Sequence, residues 1–336
     1  MIWFDLVTPK SVLFFEPIIS FLQSQDYPFV ITSREDEHYT EVNALLKLKK
    51  LPFHSFGGYG GELLSQKLEA SLKRQEALSH FIQNYSIKKL VNLCSVDGCR
   101  VAFGLGIEIV NFCDFPSAKD DKLTHVARLT LPLSQKIFYP FYIPKTYFER
   151  YCDDIIEYDF LDPVIYLQNQ KPKKDFFNTL PLNKKHQTVC LREEEFKSSY
   201  VLHNYMPFVY EVLKKFDVNL IILPRYENDA LRTIFPQAII LKEKRELCEI
   251  LPFCDLFVGG GGTINIEAAY WNTPTISTRS FLSFYDRYLI NNGAMYHADE
   301  SFKLESLIVK LLKQPKTINT MQREVNVGHL IEGIMA

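Results

Sequence analysis

The sequence predicts an α/β protein built of two Rossmann-like, doubly wound domains, and three observations carry that expectation. Short apolar strands alternate with helical segments almost from end to end, the pattern of parallel sheets wrapped by helices. The alternation breaks once, from Asp159 to His186, where Pro163, Pro172, Pro181 and the Lys171–Lys174 cluster interrupt it. Later, a strand at Leu256–Val258 runs through four glycines into a helical stretch. The expected division is an N-terminal domain over 1–160, a connection over 159–186 and a C-terminal domain over 187–336. A chain of 336 residues can give each of two domains its own core.

In the N-terminal half, strands are expected near Ile2–Leu6, Phe29–Thr32, Phe53–Phe56, Leu90–Leu93, Ile107–Asn111 and Lys136–Phe138. The opening residues lack a basic region and Asp5 interrupts their apolar run, so they read as a first strand and not a signal peptide. A long helix is expected from about Glu62 to Asn84, with Leu64, Leu68, Leu72, Leu78 and Phe81–Ile82 along one side. The second alternation places strands near Thr188–Leu191, Leu220–Leu223, Ala238–Leu241, Leu256–Val258, Thr275–Ser277 and Met295–His297. A last helix offers Val327, Leu330, Ile331 and Ile334 to whatever surface covers them. Two such domains facing each other would bring the C-terminal ends of both sets of strands to a shared cleft, where these folds bind ligands.

Composition narrows the function classes. A hydrophobic share of 47% and a charged share of 23% are those of a soluble globular protein. A net charge of −2 gives no electrostatic case for nucleic acid. No apolar stretch approaches the ~18 residues of a membrane span, so at most peripheral membrane association is expected. The seven cysteines form no Cys-x-x-Cys pair and read as reduced, buried thiols of a cytoplasmic protein. The eight histidines show no ligand spacing, so neither a metal site nor a cofactor is expected. The aromatic share of 14% reads mainly as core and cleft lining.

The glycine-rich turn is the most informative segment. Thr263 has the chemistry of a helix N-cap. Gly260, Gly261 and Gly262 let a ligand approach bare backbone, and the helix start behind them presents unpaired N–H groups and a positive dipole end. That arrangement suits a diphosphate, although the same glycines would serve a tight turn that packs a helix against a sheet. Glu267, one helical turn deeper, is positioned to accept from ribose hydroxyls. Arg192, Arg225 and Arg279 each follow a C-terminal strand end, where guanidinium groups match phosphate oxygens or form surface ion pairs. In the first half, Asp97 and Asp114 also follow strands. Paired carboxylates there could act as acid or base on a sugar; the alternatives are a helix cap for Asp97 and a turn residue for Asp114. The Gly57-Gly58-Tyr59-Gly60-Gly61 loop is either a phosphate-side or acceptor-side loop or a sharp turn into Glu62. The aromatic stretch Phe138–Phe148 either contacts an acceptor or packs against its own domain.

The run Gly261-Gly262-Thr263-Ile-Asn-Ile-Glu267-Ala268-Ala269, then Thr273-Pro274 and Tyr285-Asp286-Arg287-Tyr288-Leu289-Ile290, resembles the nucleotide-sugar half-site of GT-B glycosyltransferases and UDP-N-acetylglucosamine 2-epimerases. More narrowly it is similar to a family of that superfamily, domain of unknown function 354. Its members read Gly-Gly-Thr-Met-x-Arg-Glu-Ala-Ala-x-x-Gly-Thr-Pro, then Val-Asp-Arg/Lys-Tyr-Leu-Ile. Ile2-Trp3-Phe4-Asp5 with Phe14-Phe15, Ala102-Phe103-Gly104-Leu105-Gly106-Ile107 and Leu131-Pro132-Leu133 extend the likeness over most of the chain. The resemblance implies a GT-B-like fold and a metal-independent glycosyltransferase. Its donor would be a nucleotide-sugar, most readily a UDP-sugar, and its acceptor a glycan or lipid-linked molecule in surface polysaccharide assembly. In the 2-epimerases, acidic residues at the strand ends of Asp97 and Asp114 serve the sugar, so 2-epimerisation or hydrolysis is the alternative. A non-catalytic nucleotide-sugar-binding protein is a third reading. Three departures weigh against histidine chemistry. The loop Thr8-Pro9-Lys10-Ser11-Val12 lacks the family's histidine pair, and Tyr59 stands where a histidine is usual. The epimerase motif His-Arg-x-Glu-Asn reads Leu191-Arg192-Glu193-Glu194-Glu195 here.

Overall fold

A computed structural model describes residues 1–36, 40–58, 60–61, 63–119, 122–194, 203–225, 230–241, 243, 245–316 and 324–336. Tyr59, Glu62 and Glu195 lie outside the described residues. The chain forms two compact units, Met1–Tyr166 with Glu324–Ala336, and Leu167–Arg323.

The N-terminal unit holds strands β1 (Ile2–Asp5), β2 (Phe29–Ser33), β3 (His54–Ser55), β4 (Lys89–Asn92) and β5 (Glu108–Phe112). A small ribbon of β6 (Ser117–Lys119) and β7 (Lys122–Leu123) follows, then β8 (Lys136–Pro140) and β9 (Asp154–Tyr158). Seven of these make one parallel sheet in the order β3-β2-β1-β4-β5-β8-β9. The strand β9 was not expected: its sequence Asp-Ile-Ile-Glu-Tyr carries charges at an edge of the sheet, so it lacks the apolar run of a central strand.

The C-terminal unit holds β10 (Thr188–Arg192), β11 (Asn219–Leu223), β12 (Ile239–Ile240), β13 (Leu256–Gly259), β14 (Thr275–Ser277) and β15 (Tyr296–His297). They form a parallel sheet in the order β12-β11-β10-β13-β14-β15. Alternate residues face two separate cores. Val189, Leu191, Leu256 and Val258 pack on one face, and Cys190, Ile221, Phe257 and Ala268 on the other. Burial on both faces is why these strands read as unbroken apolar runs.

Aromatic side chains build much of the N-terminal core. Phe112 stacks on Phe138 at 4.4 Å between centroids and meets Phe14 and Phe15 edge-on. In the stretch after β8, Tyr139 and Phe148 are buried against each other at 4.7 Å. The long helix is Leu64–Ile82, but its leucines differ in burial. Leu64, Leu68 and Leu72 are 82%, 60% and 58% exposed, whereas Arg74, Leu78 and Ile82 are buried. No residue of this helix before Arg74 is buried, so its first half stands clear of the core whichever side its leucines take.

The helix Val327–Met335 belongs to the N-terminal unit. Gly333 lies so close to Phe138 that a β-carbon there would stand 2.9 Å from its ring. Lys136 Nζ donates to the Gly333 carbonyl at 2.8 Å, and Lys89 Nζ to that of Ile334 at 2.9 Å. Two ammonium groups thus satisfy carbonyls that the end of a helix leaves open. Ile334, 1% exposed, is the apolar anchor of this packing. We expect Ile334→Ala to destabilise the protein by about 2–5 kcal/mol in urea unfolding. An unchanged midpoint would mean that the helix does not hold the unit together.

Candidate functional site

Where a parallel sheet reverses its strand order, the loops after the two central strands diverge and leave room at their C-terminal ends. In the N-terminal unit that point lies between β1 and β4, and protein side chains fill it. Asp5 Oδ1 accepts from Thr32 Oγ1 and Arg74 Nη2, both at 2.6 Å. Its Oδ2 accepts from Ser95 Oγ at 2.5 Å and Arg74 Nη1 at 3.2 Å. Arg74 Nε donates to the Phe56 carbonyl at 3.0 Å, and Trp3 Nε1 to Thr32 Oγ1 at 2.7 Å. Gly98 has no room for a side chain, since a β-carbon would come within 2.6 Å of Asp5 Oδ2.

This network corrects the expectation for Asp97. Its residue lies in the first turn of the helix Val96–Gly104, which Ser95 caps. The carboxylate accepts from Ser71 Oγ, from Gln75 Nε2 at 3.1 Å and from Arg74 Nη1 at 3.4 Å. Asp97 is paired with a local arginine and ties two helices together, so it leaves the list of catalytic candidates. Asp114 sits differently. It pairs with Lys10, whose Nζ also lies 2.7 Å from Asp162 Oδ2, and Tyr158 donates to Asp162 Oδ1 at 2.7 Å. Burial works to lower the Lys10 pKa, but the two carboxylates outweigh it and hold the ammonium well above its usual value. Lys10 and Asp162 were not singled out from sequence; Lys10 follows the Thr8 N-cap and Pro9, which position it at the start of the helix Pro9–Ser24.

The Gly57–Gly61 loop has a backbone explanation. Gly57 takes φ +66° beside Arg74, a conformation a side chain would strain.

In the C-terminal unit the reversal lies between β10 and β13, with Arg192 in register with Gly259. Here the glycine turn occupies the point. The helix runs Gly262–Tyr270, so its N-cap is Gly261 and not Thr263, which lies in the first turn. No side chain caps the helix, and its first N–H groups are open to a ligand. Two of the glycines are needed for close approach by the protein itself. A side chain at Gly260 would collide with Glu194, and one at Gly262 with the Tyr285 hydroxyl, with Arg279 Nη1 at 3.4 Å.

The three arginines have different partners. Arg192 Nη1 turns back to the carbonyls of Leu223 at 3.2 Å and Pro224 at 2.8 Å, tying β10 to the end of β11. Arg225 is exposed, and its backbone N–H donates to Glu193 Oε2 at 2.9 Å. Arg279 stands against Gly262, and the stem of Arg192 passes 3.7 Å from where a Gly261 β-carbon would be. Arg279 is 6% exposed, with Nη1 bonded to Tyr285 Oη and to Asp286 Oδ2 at 2.6 Å, and its guanidinium lies 4.2 Å from the Phe281 ring centre. Asp286 also accepts from the Ser283 N–H and hydroxyl, which closes the start of the helix Phe284–Asn291. Glu267 is 7% exposed within the helix, one turn after Thr263. Glu194, 2% exposed, was quoted in the sequence motif but given no role; burial pushes its carboxyl up to about 7, against the pull of Ser280 and Arg279.

Residues 1–328 match the family described as a protein of unknown function, DUF354. The chain belongs to that family. An uncharacterised protein of Methanocaldococcus jannaschii is 26% identical to this DUF354 chain over 315 residues, 89% of this chain and 88% of that one. Among solved structures, the UDP-GlcNAc 2-epimerase of M. jannaschii, in complex with UDP-GlcNAc and UDP, superposes with a TM-score of 0.76 at 16% identity, covering 99% of both chains. The spinosyn rhamnosyltransferase, complexed with spinosyn aglycone, superposes at 0.61 and 14% identity over 99% of this chain and 94% of that one. These likenesses show the fold, two parallel-sheet Rossmann-like units of the GT-B type. All seven cysteines of this DUF354 protein are free. Among the described residues no helix is long and apolar enough to cross a membrane, and no group of three ligating side chains could hold a metal ion.

The Arg74 network gives a direct test of its structural role. Arg74→Met leaves the buried Asp5 carboxylate without its partner, and we expect a loss of about 3–5 kcal/mol in chemical unfolding. A loss under about 1 kcal/mol, the scale of an exposed pair, would show that the ion pair is not buried as described.

Proposed function

We propose that this protein binds the nucleoside diphosphate of a nucleotide-sugar, UDP-linked, at Gly260–Thr263, and transfers the sugar to a glycan or lipid-linked acceptor in surface-glycan assembly. The observation that carries the reading is the uncapped start of the helix Gly262–Tyr270 at the strand-order reversal, with Arg279 against Gly262. When the bond from the sugar to the diphosphate breaks, negative charge grows on the leaving phosphate. Fixed N–H groups and a helix N-terminus stabilise that charge without a metal. Arg279 is held in one orientation by Asp286 and Tyr285, so its electrostatic contribution needs no reorganisation. Glu267 is assigned to the ribose hydroxyls. Two of the solved neighbours support the substrate class: one is an enzyme in complex with UDP-GlcNAc and UDP, the other a rhamnosyltransferase.

A second reading, 2-epimerisation or hydrolysis of the nucleotide-sugar, is favoured by the Lys10–Asp114–Asp162 cluster at the C-terminal strand ends of the N-terminal unit. Asp114 is the one originally expected carboxylate that keeps a catalytic assignment. Incubation with UDP-sugars in the absence of acceptor separates the readings, since conversion under those conditions supports the second.

Glu267→Ala removes a charge-assisted hydrogen bond of ~1.5–3 kcal/mol, so UDP binding should weaken roughly ten- to a hundredfold with the fold intact. Calorimetric titration of UDP into both proteins checks this. Equal affinities would make Glu267 structural, and binding by neither would end the nucleotide-sugar reading.

A further inference from the structure

Glu194 packs its stem against the glycine turn. Glu194 follows β10 by two residues, and its Cα and Cβ occupy the space that a side chain at Gly260 would need. Its Oε1 accepts the Ser280 N–H at 3.4 Å, and the N–H and hydroxyl of Ser280 both favour the ionised form, whereas its Oε2 is buried with no hydrogen-bond partner. An ionised, buried oxygen without a donor is costly. The oxygen is therefore best served by carrying a proton itself.

Among the described residues, the charged and titratable groups around it come from four elements. Arg279 approaches from the loop after β14 and attracts the ionised form, but it is already paired with Asp286. Asp286, from the helix Phe284–Asn291, repels that form, and the Tyr285 hydroxyl of the same helix is bonded to Arg279. From β15, His297 bonds the Arg279 carbonyl at 2.9 Å. On Glu194's own strand end, Arg192 is turned to β11, and Glu193 is satisfied by Tyr210 and the Arg225 N–H. No second cation compensates Glu194 among these groups. A diphosphate seated on the open N–H groups of the turn would bring further negative charge to the same place.

We propose that Glu194 holds the diphosphate as a neutral carboxylic acid, its Oε2 hydroxyl donating to a phosphate oxygen, so that ligand binding requires a proton on this residue. The inference rests on the nucleotide-sugar reading of the glycine turn. It gives that site a pH dependence the reading alone does not contain: the carboxyl loses its proton near pH 7, and the ionised form repels the ligand.

The probe is UDP-GlcNAc, because the terminal phosphate of free UDP has its own ionisation near pH 6 and would blur the result. Between about pH 6 and pH 8 the protonated share falls from roughly nine-tenths to one-tenth, so the wild-type affinity should fall about tenfold. Glu194→Gln keeps the shape and a donor but cannot ionise; its affinity should not vary over that range, and at about pH 8 it should exceed that of wild type. Thermal unfolding confirms that the variant is folded. Should it not fold, wild-type calorimetry at about pH 8 in two buffers of different ionisation heat reads the proton directly, and close to one proton taken up per ligand is expected. A flat wild-type profile, a variant that keeps the wild-type slope, or no proton uptake would overturn the inference while leaving the nucleotide-sugar reading in place. Absence of UDP-GlcNAc binding by either protein at every pH would overturn both.

Discussion

The strand-order reversal in each parallel sheet is the constraint on which the rest of the molecule depends. At that point the chain leaves two neighbouring strands in opposite directions, and the polar ends of both loops must be satisfied by something. The two units meet the same demand in different ways. Between β1 and β4 the buried Arg74 guanidinium makes four hydrogen bonds, to Asp5, Asp97 and the Phe56 carbonyl, so the polar ends are closed from within. Between β10 and β13 the described cations, Arg192 and Arg279, are bonded to the Leu223 and Pro224 carbonyls and to Asp286. The glycines bring Glu194 and Tyr285 against the backbone, and the first helical N–H groups stay uncapped. The difference leaves the C-terminal unit with the uncapped helix start on which the proposed diphosphate site rests.

Arg279 shows how a buried charge can be useful without being free. An unpaired guanidinium at 6% exposure would be unstable, and Asp286 with Tyr285 resolves that. Asp286 in turn belongs to a capping box with Ser283, so the orientation of Arg279 is fixed by the start of the next helix. Sequence motifs that seem separate, the glycine run and the Tyr285-Asp286 block, are one piece of structure: Gly262 is small because the Tyr285 hydroxyl stands where its side chain would be.

Much of the fold was legible because it rests on local pattern. Apolar runs buried on both faces marked β1, β2, β4, β5, β8, β10, β11, β13 and β14, and the glycine run marked the turn. What failed depended on geometry that spacing does not encode. The edge strand β9 carries charges that its exposed side tolerates, and Leu64, Leu68 and Leu72 were grouped with Leu78 although only the second half of the helix is buried. The site was legible by position more than by partner. Arg192, Arg279, Asp97 and Asp114 all lie at C-terminal strand ends or just beyond, yet their roles follow from groups 20 or more residues away in three of the four cases, Leu223 and Pro224, Arg74, and Lys10.

Glu194 was hidden for the same reason. In sequence it is one of three consecutive glutamates after Arg192, a run that reads as a solvated surface. Only the fold separates them. Glu193 is enclosed by Tyr210 and the Arg225 N–H, while Glu194 is pressed against Gly260 with one oxygen unsatisfied. Two adjacent carboxyls on one strand end thus acquire opposite characters, since the side chains of successive residues leave an extended backbone in opposite directions. The first is held by donors and braces β10 against β11. The second has a donor for only one of its oxygens and sits beside the uncapped helix start of the turn. The pairing we propose for the C-terminal unit is thus a helix start, which attracts negative charge, beside an acid whose burial raises its pKa to about 7.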